Sequence, residues 1–142
     1  MYRKILVALD HTPADESLVP HIAELARMCG SELLLVHVAD GWSARNHHQL
    51  NLAESEEMRE DRAYLEELAG KLRETGLSVK TLLAMGEPPA EILATSIAEK
   101  CDLIAMTTHG HRLIGDLLLG STIDHVRHRS EVPILVVRAK RR

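Results

Sequence analysis

Phenylalanine is absent from this chain, and with one tryptophan and two tyrosines the aromatic residues make up 2% of 142 positions. An aromatic core is excluded, so apolar packing must come from Leu, Ile, Val, Ala and Met, a composition that suits buried parallel strands and helices. Excess basic charge is also lacking: 17 Lys and Arg against 21 Asp and Glu give a formal charge of −4. That balance argues against a general nucleic-acid or anionic-membrane binder, and no apolar run approaches a membrane span. Cysteine is scarce, and Cys29 and Cys101 form neither a Cys-x-x-Cys pair nor a disulfide framework. Both are expected as reduced core thiols. The basic residues Arg138, Lys140, Arg141 and Arg142 read as a short solvated tail. Because Met1-Tyr2-Arg3-Lys4 leads straight into a strand, no room is left for a signal peptide, and a cytoplasmic location is expected.

What is present is an alternation. Ile5 to Leu9 is a short apolar run followed by turn and helix-start signals, and reads as a buried strand. Thr12 can cap the next helix, with Pro13 at its first position and Asp15 three residues after the cap. Leu18, Ile22, Leu25 and Ala26 form that helix's apolar stripe, and Gly30 stops it. Leu33 to Val38 reads as strand two, and the polar stretch from Asp40 to about Ser55 as a loop. The spacing from Met58 to Leu72 predicts an amphipathic helix on Leu65, Leu68, Ala69 and Leu72, with Glu56, Glu57, Glu60, Glu66 and Glu67 solvated. Val79 to Ala84 is strand three. Pro89 can start a helix whose apolar face includes Ile92, Leu93, Ile97 and Ala98. Leu103 to Thr107 is strand four, a helix of about ten residues contains Ile123 and Val126, and Ile134 to Val137 is the last strand. The pattern βαβαβαβαβ over one domain, residues 1–142, implies an α/β fold. Its sheet should be parallel, with right-handed crossovers and helices on both faces.

The segment most informative for function runs Thr107-Thr108-His109-Gly110, then nine residues, then Gly120-Ser121-Thr122. Glycines let a backbone approach a polyphosphate closely, and a helix N-terminus favours anions through its free N–H groups. Ser121 could cap the helix while donating to a phosphate, with Asp124 completing a capping box, and Thr122 is a second donor. The competing reading keeps Gly110 and Gly120 for turns and Ser121 and Asp124 for capping alone. His109 either offsets phosphate charge or faces solvent. The pairs His47 with His48, His109 with His111, and His125 with His128 lack a third ligand at zinc spacing, so no metal site is expected.

Lys4 to Asp10, Gly86-Glu87-Pro88-Pro89-Ala90-Glu91-Ile92, the glycine loop and Val132 to Val137 occur in the order and spacing of the universal stress protein family, which the whole chain resembles. The resemblance implies a five-stranded parallel sheet of order 3-2-1-4-5, Rossmann-like and of the adenine nucleotide alpha hydrolase type. It also implies a nucleotide site at Ala8, Leu9, Asp10, the main chain of Val38, Thr107, Thr108, His109, Gly110, Gly120, Ser121 and Thr122. In ATP-binding members the loop reads Gly-x-x-Gly, nine residues, then Gly-Ser or Gly-Thr. Gly110, the spacer, Gly120 and Ser121 match; Thr107 stands where the first glycine would.

The function this implies is an ATP-binding stress-response module, a dimeric nucleotide-dependent switch read by a protein partner. ADP or AMP could occupy the same crevice, and Mg²⁺ would accompany a triphosphate. The homodimer would form by antiparallel pairing of Ile134, Leu135, Val136 and Val137, an edge that native proteins cover. The alternatives are a nucleotide-independent dimeric interaction module and a slow ATP hydrolase. The chain has no Walker lysine and no Gly-x-Ser-x-Gly elbow, and His109 is the only base candidate within the loop.

Overall fold

In the computed structural model, which describes residues 1–39, 51–108 and 122–140, the first strand shows why its apolar run is unbroken. Ile5, Val7 and Leu9 of β1 (Lys4–Leu9) are buried in one apolar cluster, while Leu6 and Ala8 are buried in another. Successive side chains of a strand point to opposite faces, so a sheet covered on both sides requires apolar residues at every position. The same division holds in β2 (Glu32–Ala39), with Leu33 and Leu35 in the first cluster and Leu34 and Val36 in the second.

Helices supply the two covers. On the first face lie α1 (Asp15–Cys29) and α2 (Asn51–Glu74), through Leu18, Ile22 and Ala26 and through Leu65, Ala69 and Leu72. Against the second lie α3 (Pro88–Ala98) and α4 (122–129), through Ile92 and Val126. Spacings of three and four residues put each set on one helical stripe. Leu65 is 1% exposed, and its truncation to Ala would cost about 2–5 kcal/mol through lost burial and the cavity left behind.

With β3 (Ser78–Met85), β4 (Leu103–Thr108) and β5 (Ile134–Arg138), the sheet has the order β3-β2-β1-β4-β5, and every pairing is parallel. This is the expected 3-2-1-4-5 α/β arrangement. From β1 the chain winds outward through β2 to β3, then returns across the sheet to β4 and β5. The reversal between β1 and β4 is the switch point, beyond whose carboxyl ends ligands sit in such folds.

Several expectations change. The segment expected as loop to about Ser55 is helical from Asn51; residues 40–50 lie outside the described residues. That early part of α2 is rich in good helix formers but carries no apolar stripe, so periodicity does not reveal it. Both Pro88 and Pro89 open α3, where a missing N–H costs nothing. On α3, Ile92 is buried as expected, but Ile97 is 76% exposed and Ala98 is exposed as well. Thr95 and Ser96 are buried in their place, and Ser96 Oγ satisfies itself on the Leu93 carbonyl at 2.8 Å. Cys101 is buried, whereas Cys29, the last residue of α1, is only half-buried; both are free thiols.

At the end of α1, Gly30 takes φ 70°, and the Ser31 N–H bonds back to the Ala26 carbonyl at 2.9 Å. The left-handed turn that stops the helix is open to glycine without a Cβ penalty.

Candidate functional site

At the carboxyl ends of β1, β2 and β4 a cavity of about 490 Å³ opens over the switch point. Its walls include Ala8 to His11 after β1, Val36 to Ala39 of β2, Met106 and Thr107 of β4, Glu87, Pro88 and Ile92 around the start of α3, Glu57 and Asp61 of α2, and Thr122 of α4. Six of the residues expected at the site therefore converge here: Ala8, Leu9, Asp10, Val38, Thr107 and Thr122. Thr108 is not part of the wall; its hydroxyl is buried without a hydrogen-bond partner among the described residues. His109, Gly110, Gly120 and Ser121 lie outside the described residues, and so does the Ser121 half of the expected capping box. Asp124 accepts a hydrogen bond from Arg127 at 3.1 Å.

The turn after β1 is organised by a carboxylate. The Asp10 and His11 N–H groups donate to the two oxygens of Asp15 at 3.0 and 2.9 Å, and the Tyr64 hydroxyl donates to the same carboxylate at 2.6 Å. Asp15 is 2% exposed, and a buried carboxylate survives only with such partners. The expected cap is altered accordingly. The Thr12 hydroxyl accepts from the Ala14 N–H at 3.3 Å, and the Asp15 N–H reaches the Thr12 carbonyl at 3.0 Å. But α1 begins at Asp15 behind Ala14, whose methyl side chain has no atom to cap with, and the Asp15 side chain turns back to the strand end.

Asp10 sits at the centre. Its Oδ2 accepts from the Thr107 hydroxyl at 3.3 Å across the β1–β4 junction. Burial, reinforced by the negative charge of Asp15, raises its carboxyl from 3.8 to about 6, against the lowering effects of Thr107 and His37. Thr107 belongs to β4 and pairs with Val137, so a β-branched residue suits its extended backbone, and glycine's freedom is not required there. Its hydroxyl serves Asp10.

A second group at this end of the sheet was not foreseen. His11 Nδ1 lies 2.7 Å from Asp61 Oδ1, and the His11 ring stacks on Tyr64 with centroids 4.0 Å apart. His37 Nδ1 lies 2.9 Å from the Leu9 carbonyl, and its Nε2 stands 3.6 Å from Asp61 Oδ2. Carbonyl and carboxylate oxygens only accept, so both Nδ1 atoms carry hydrogen. In the neutral His11 ring, Nε2 is then an acceptor. Burial and Asp15 raise the Tyr64 hydroxyl far above its ordinary range and keep it protonated. The readable signal was Asp61: four residues before Leu65, it continues the buried stripe of α2 into an otherwise acidic surface, and it is 8% exposed.

Chemically the cavity offers an apolar wall of Val36, Val38, Ile92 and Met106 beside a corner of hydrogen-bond acceptors. It suits a flat apolar group carrying hydroxyls or amines. Among the described residues, no three His, Cys, Asp or Glu side chains converge in a way that could hold a metal ion, and no helix is long and apolar enough to cross a membrane.

Residues 1–138 match the model of the universal stress protein family. A universal stress protein of Methanocaldococcus jannaschii is 26% identical over an alignment that covers 99% of this chain and 97% of the relative. A solved structure of that protein superimposes with a TM-score of 0.85 at 29% identity, over 100% of this chain and 99% of the other. The fold is shared with a universal stress protein solved in complex with cAMP, at TM-score 0.72 and 19% identity over 98% of each chain. It is shared too with a universal stress protein from Archaeoglobus fulgidus in complex with dAMP, at TM-score 0.70 and 20% identity over 96% of this chain and 98% of the other.

Proposed function

The chain belongs to the universal stress protein family, and from that premise we propose that it is an ATP-binding stress-response module acting as a dimeric, nucleotide-dependent switch. The observation that carries this reading is the cavity at the β1–β4 switch point, of a volume that suits a nucleotide. The base would lie on the apolar wall against the main chain of Val38, and the sugar near Asp10. The phosphates would run toward Thr122 and the segment containing Gly110, Gly120 and Ser121. The relatives solved with cAMP and dAMP support an adenine nucleotide, with ADP and AMP as further occupants of the same crevice. Mg²⁺ would enter with the triphosphate, held by phosphate oxygens and by waters that it keeps.

The dimer rests on β5, which among the described residues pairs with β4 alone and so leaves its outer edge open. Val136 on that strand is 41% exposed. Pairing Ile134 to Val137 with a second copy would close the edge. Nucleotide would act as a switch by binding one dimer conformation more tightly than another, and a protein partner would read the difference.

Calorimetric titration of nucleotide-free protein with Mg-ATP, beside a Gly120→Val variant that fills the phosphate path, tests the site. Saturable binding lost in the variant supports it; no binding by the wild type ends it. Light scattering with and without nucleotide tests the dimer, and a monomer at micromolar concentration would remove it.

A further inference from the structure

We infer that the groove between the C-terminal ends of α3 and α4 is a second ligand site, one that takes a small monoanionic amphiphile of the medium-chain fatty-acid class. The alkyl tail would lie against Leu93, Ile97 and Val132, and the carboxylate between Lys100 and Arg129. The site is independent of the nucleotide reading. It opens at the amino ends of β4 and β5, whereas the switch-point cavity lies beyond the carboxyl ends, and the two share no lining residue.

The groove has a volume of about 490 Å³, within the range of small-molecule sites. Its floor belongs to the second apolar cluster: Cys101 is buried there, and Leu93 and Val132 pack against the cluster while only half-buried themselves. Burial pushes the Cys101 thiol up to about 11, so it adds no charge to the floor at neutral pH. Ile97, 76% exposed, carries the apolar strip outward past what the fold covers. A single exposed isoleucine is ordinary, but this one lines a groove whose floor reaches the core, and such continuity marks binding surfaces.

Charge sets the class of occupant. Lys100 and Arg129 line the groove and are exposed, and neither has an ion-pair partner among the described residues. Cations at helix C-termini commonly answer free carbonyls, yet here backbone groups already do so. The Lys100 and Cys101 N–H groups donate to the Ile97 and Ser96 carbonyls at 3.2 and 2.9 Å, and the Ser130 N–H donates to the Val126 carbonyl at 2.8 Å. The two side chains are thus left for a ligand. Glu131 is the single acid among the described lining residues, while nearby Glu99 is held by Lys4 at 2.9 Å. Two cations against one acid suit a monoanion and disfavour a dianionic phosphate head. A guanidinium pairs a carboxylate through two parallel bonds, and beside an apolar strip the complement is an alkyl carboxylate.

The test titrates the full, nucleotide-free chain with hexanoate, octanoate and decanoate below their micellar range, followed by methyl-detected NMR, with decanol and decylamine as neutral and charge-reversed controls. Saturable shifts are expected at the Leu93, Ile97 and Val132 methyls, with affinity rising by up to about fourfold for each methylene that is buried. Decanoate should bind about tenfold more tightly than decylamine at low salt, and the gap should narrow as salt is added. Ile97→Glu, at an exposed position, should weaken decanoate about tenfold or more. Lys100→Gly combined with Arg129→Gln should bring decanoate down to the affinity of decanol and leave decanol itself unchanged. No saturable shift at the three methyls, equal affinities for decanoate and decylamine, or full decanoate binding by Ile97→Glu would each overturn the site. If light scattering shows that Ile97→Glu dissociates a wild-type assembly and decanoate shifts none of the three methyls, the groove is an interface between copies and the ligand reading falls. Mg-ATP titrations of the same variants should match wild type, so failure here leaves the nucleotide site standing.

Discussion

Thr107 Oγ1 donates to Asp10 Oδ2 at 3.3 Å, joining two strand ends that are 97 residues apart in sequence. Thr107 is 3% exposed and stands where the ATP-binding pattern of the family has glycine, so its side chain has been turned to support of the carboxylate. Thr107→Val keeps the shape and removes the donor. The Asp10 carboxyl, held down in part by this bond, is expected to titrate above its present value of about 6. A carboxyl-detected NMR titration reads it directly, and an unchanged or lower midpoint would show that the bond does not act on the charge.

Asp10 should itself be a stability cost at neutral pH. Its folded pKa of about 6 lies above the ordinary 3.8, so between those values the folded chain binds more protons than the unfolded one. Stability therefore falls as pH rises through that window, and the full penalty stands above it. A shift of that size corresponds to roughly 3 kcal/mol as an upper figure. Asp10→Asn should raise the urea midpoint at pH 7.5 and leave it nearly unchanged at pH 3.5. Equal gains at the two pH values would mean that the charge is not the cause.

Asp15 gives the complementary case, a buried carboxylate whose partners are all in place. Tyr64→Phe removes one hydroxyl donor and leaves the two backbone N–H bonds. The expected loss is about 1.5–3 kcal/mol, the range for a bond to a charged group. Asp15→Asn should cost more, because an amide has one acceptor oxygen for three donors and points its own N–H groups at theirs. Guanidinium denaturation of the two variants ranks them, and a costlier Tyr64→Phe would reverse this account.

How far the sequence could be read divides along the same line. Runs such as Ile5 to Leu9 and Leu33 to Val38 announce strands buried on both faces, because their apolar character is local and continuous. Asp10 was legible because it ends such a strand inside a recognisable motif. His11, His37, Asp61 and Tyr64 were not, since their relation depends on packing between β1, β2 and α2, and each alone has an ordinary use. Asp61 goes unnamed in the sequence reading of an acidic helix; only its step of four residues from Leu65 marks it. The face of α3 was misjudged for a different reason. Hydropathy favours burying Ile97 over Ser96, but a serine that bonds the carbonyl three residues back can be buried at little cost.

The two left-handed turns that flank α3 should respond to substitution in opposite directions. Lys100 adopts φ 56° just after the helix. There the Cys101 and Lys100 N–H groups close onto the Ser96 and Ile97 carbonyls at 2.9 and 3.2 Å. This paired closure is one that glycine fills without strain, so Lys100→Gly should stabilise the chain by up to about 1 kcal/mol. Gly86, before the helix, adopts φ 138°, and a Cβ there would lie 2.9 Å from Glu91 Oε1 and 3.1 Å from its Cγ. Gly86→Ala therefore meets both a forbidden backbone and a close contact, and should cost on the order of 2–3 kcal/mol. Because Glu87 and Pro88 follow directly in the cavity wall, the same change should also weaken nucleotide binding, whereas Lys100→Gly should not. Thermal denaturation and titration of both variants check the pair. A Gly86→Ala chain of wild-type stability and affinity would show that the turn relaxes without moving the wall.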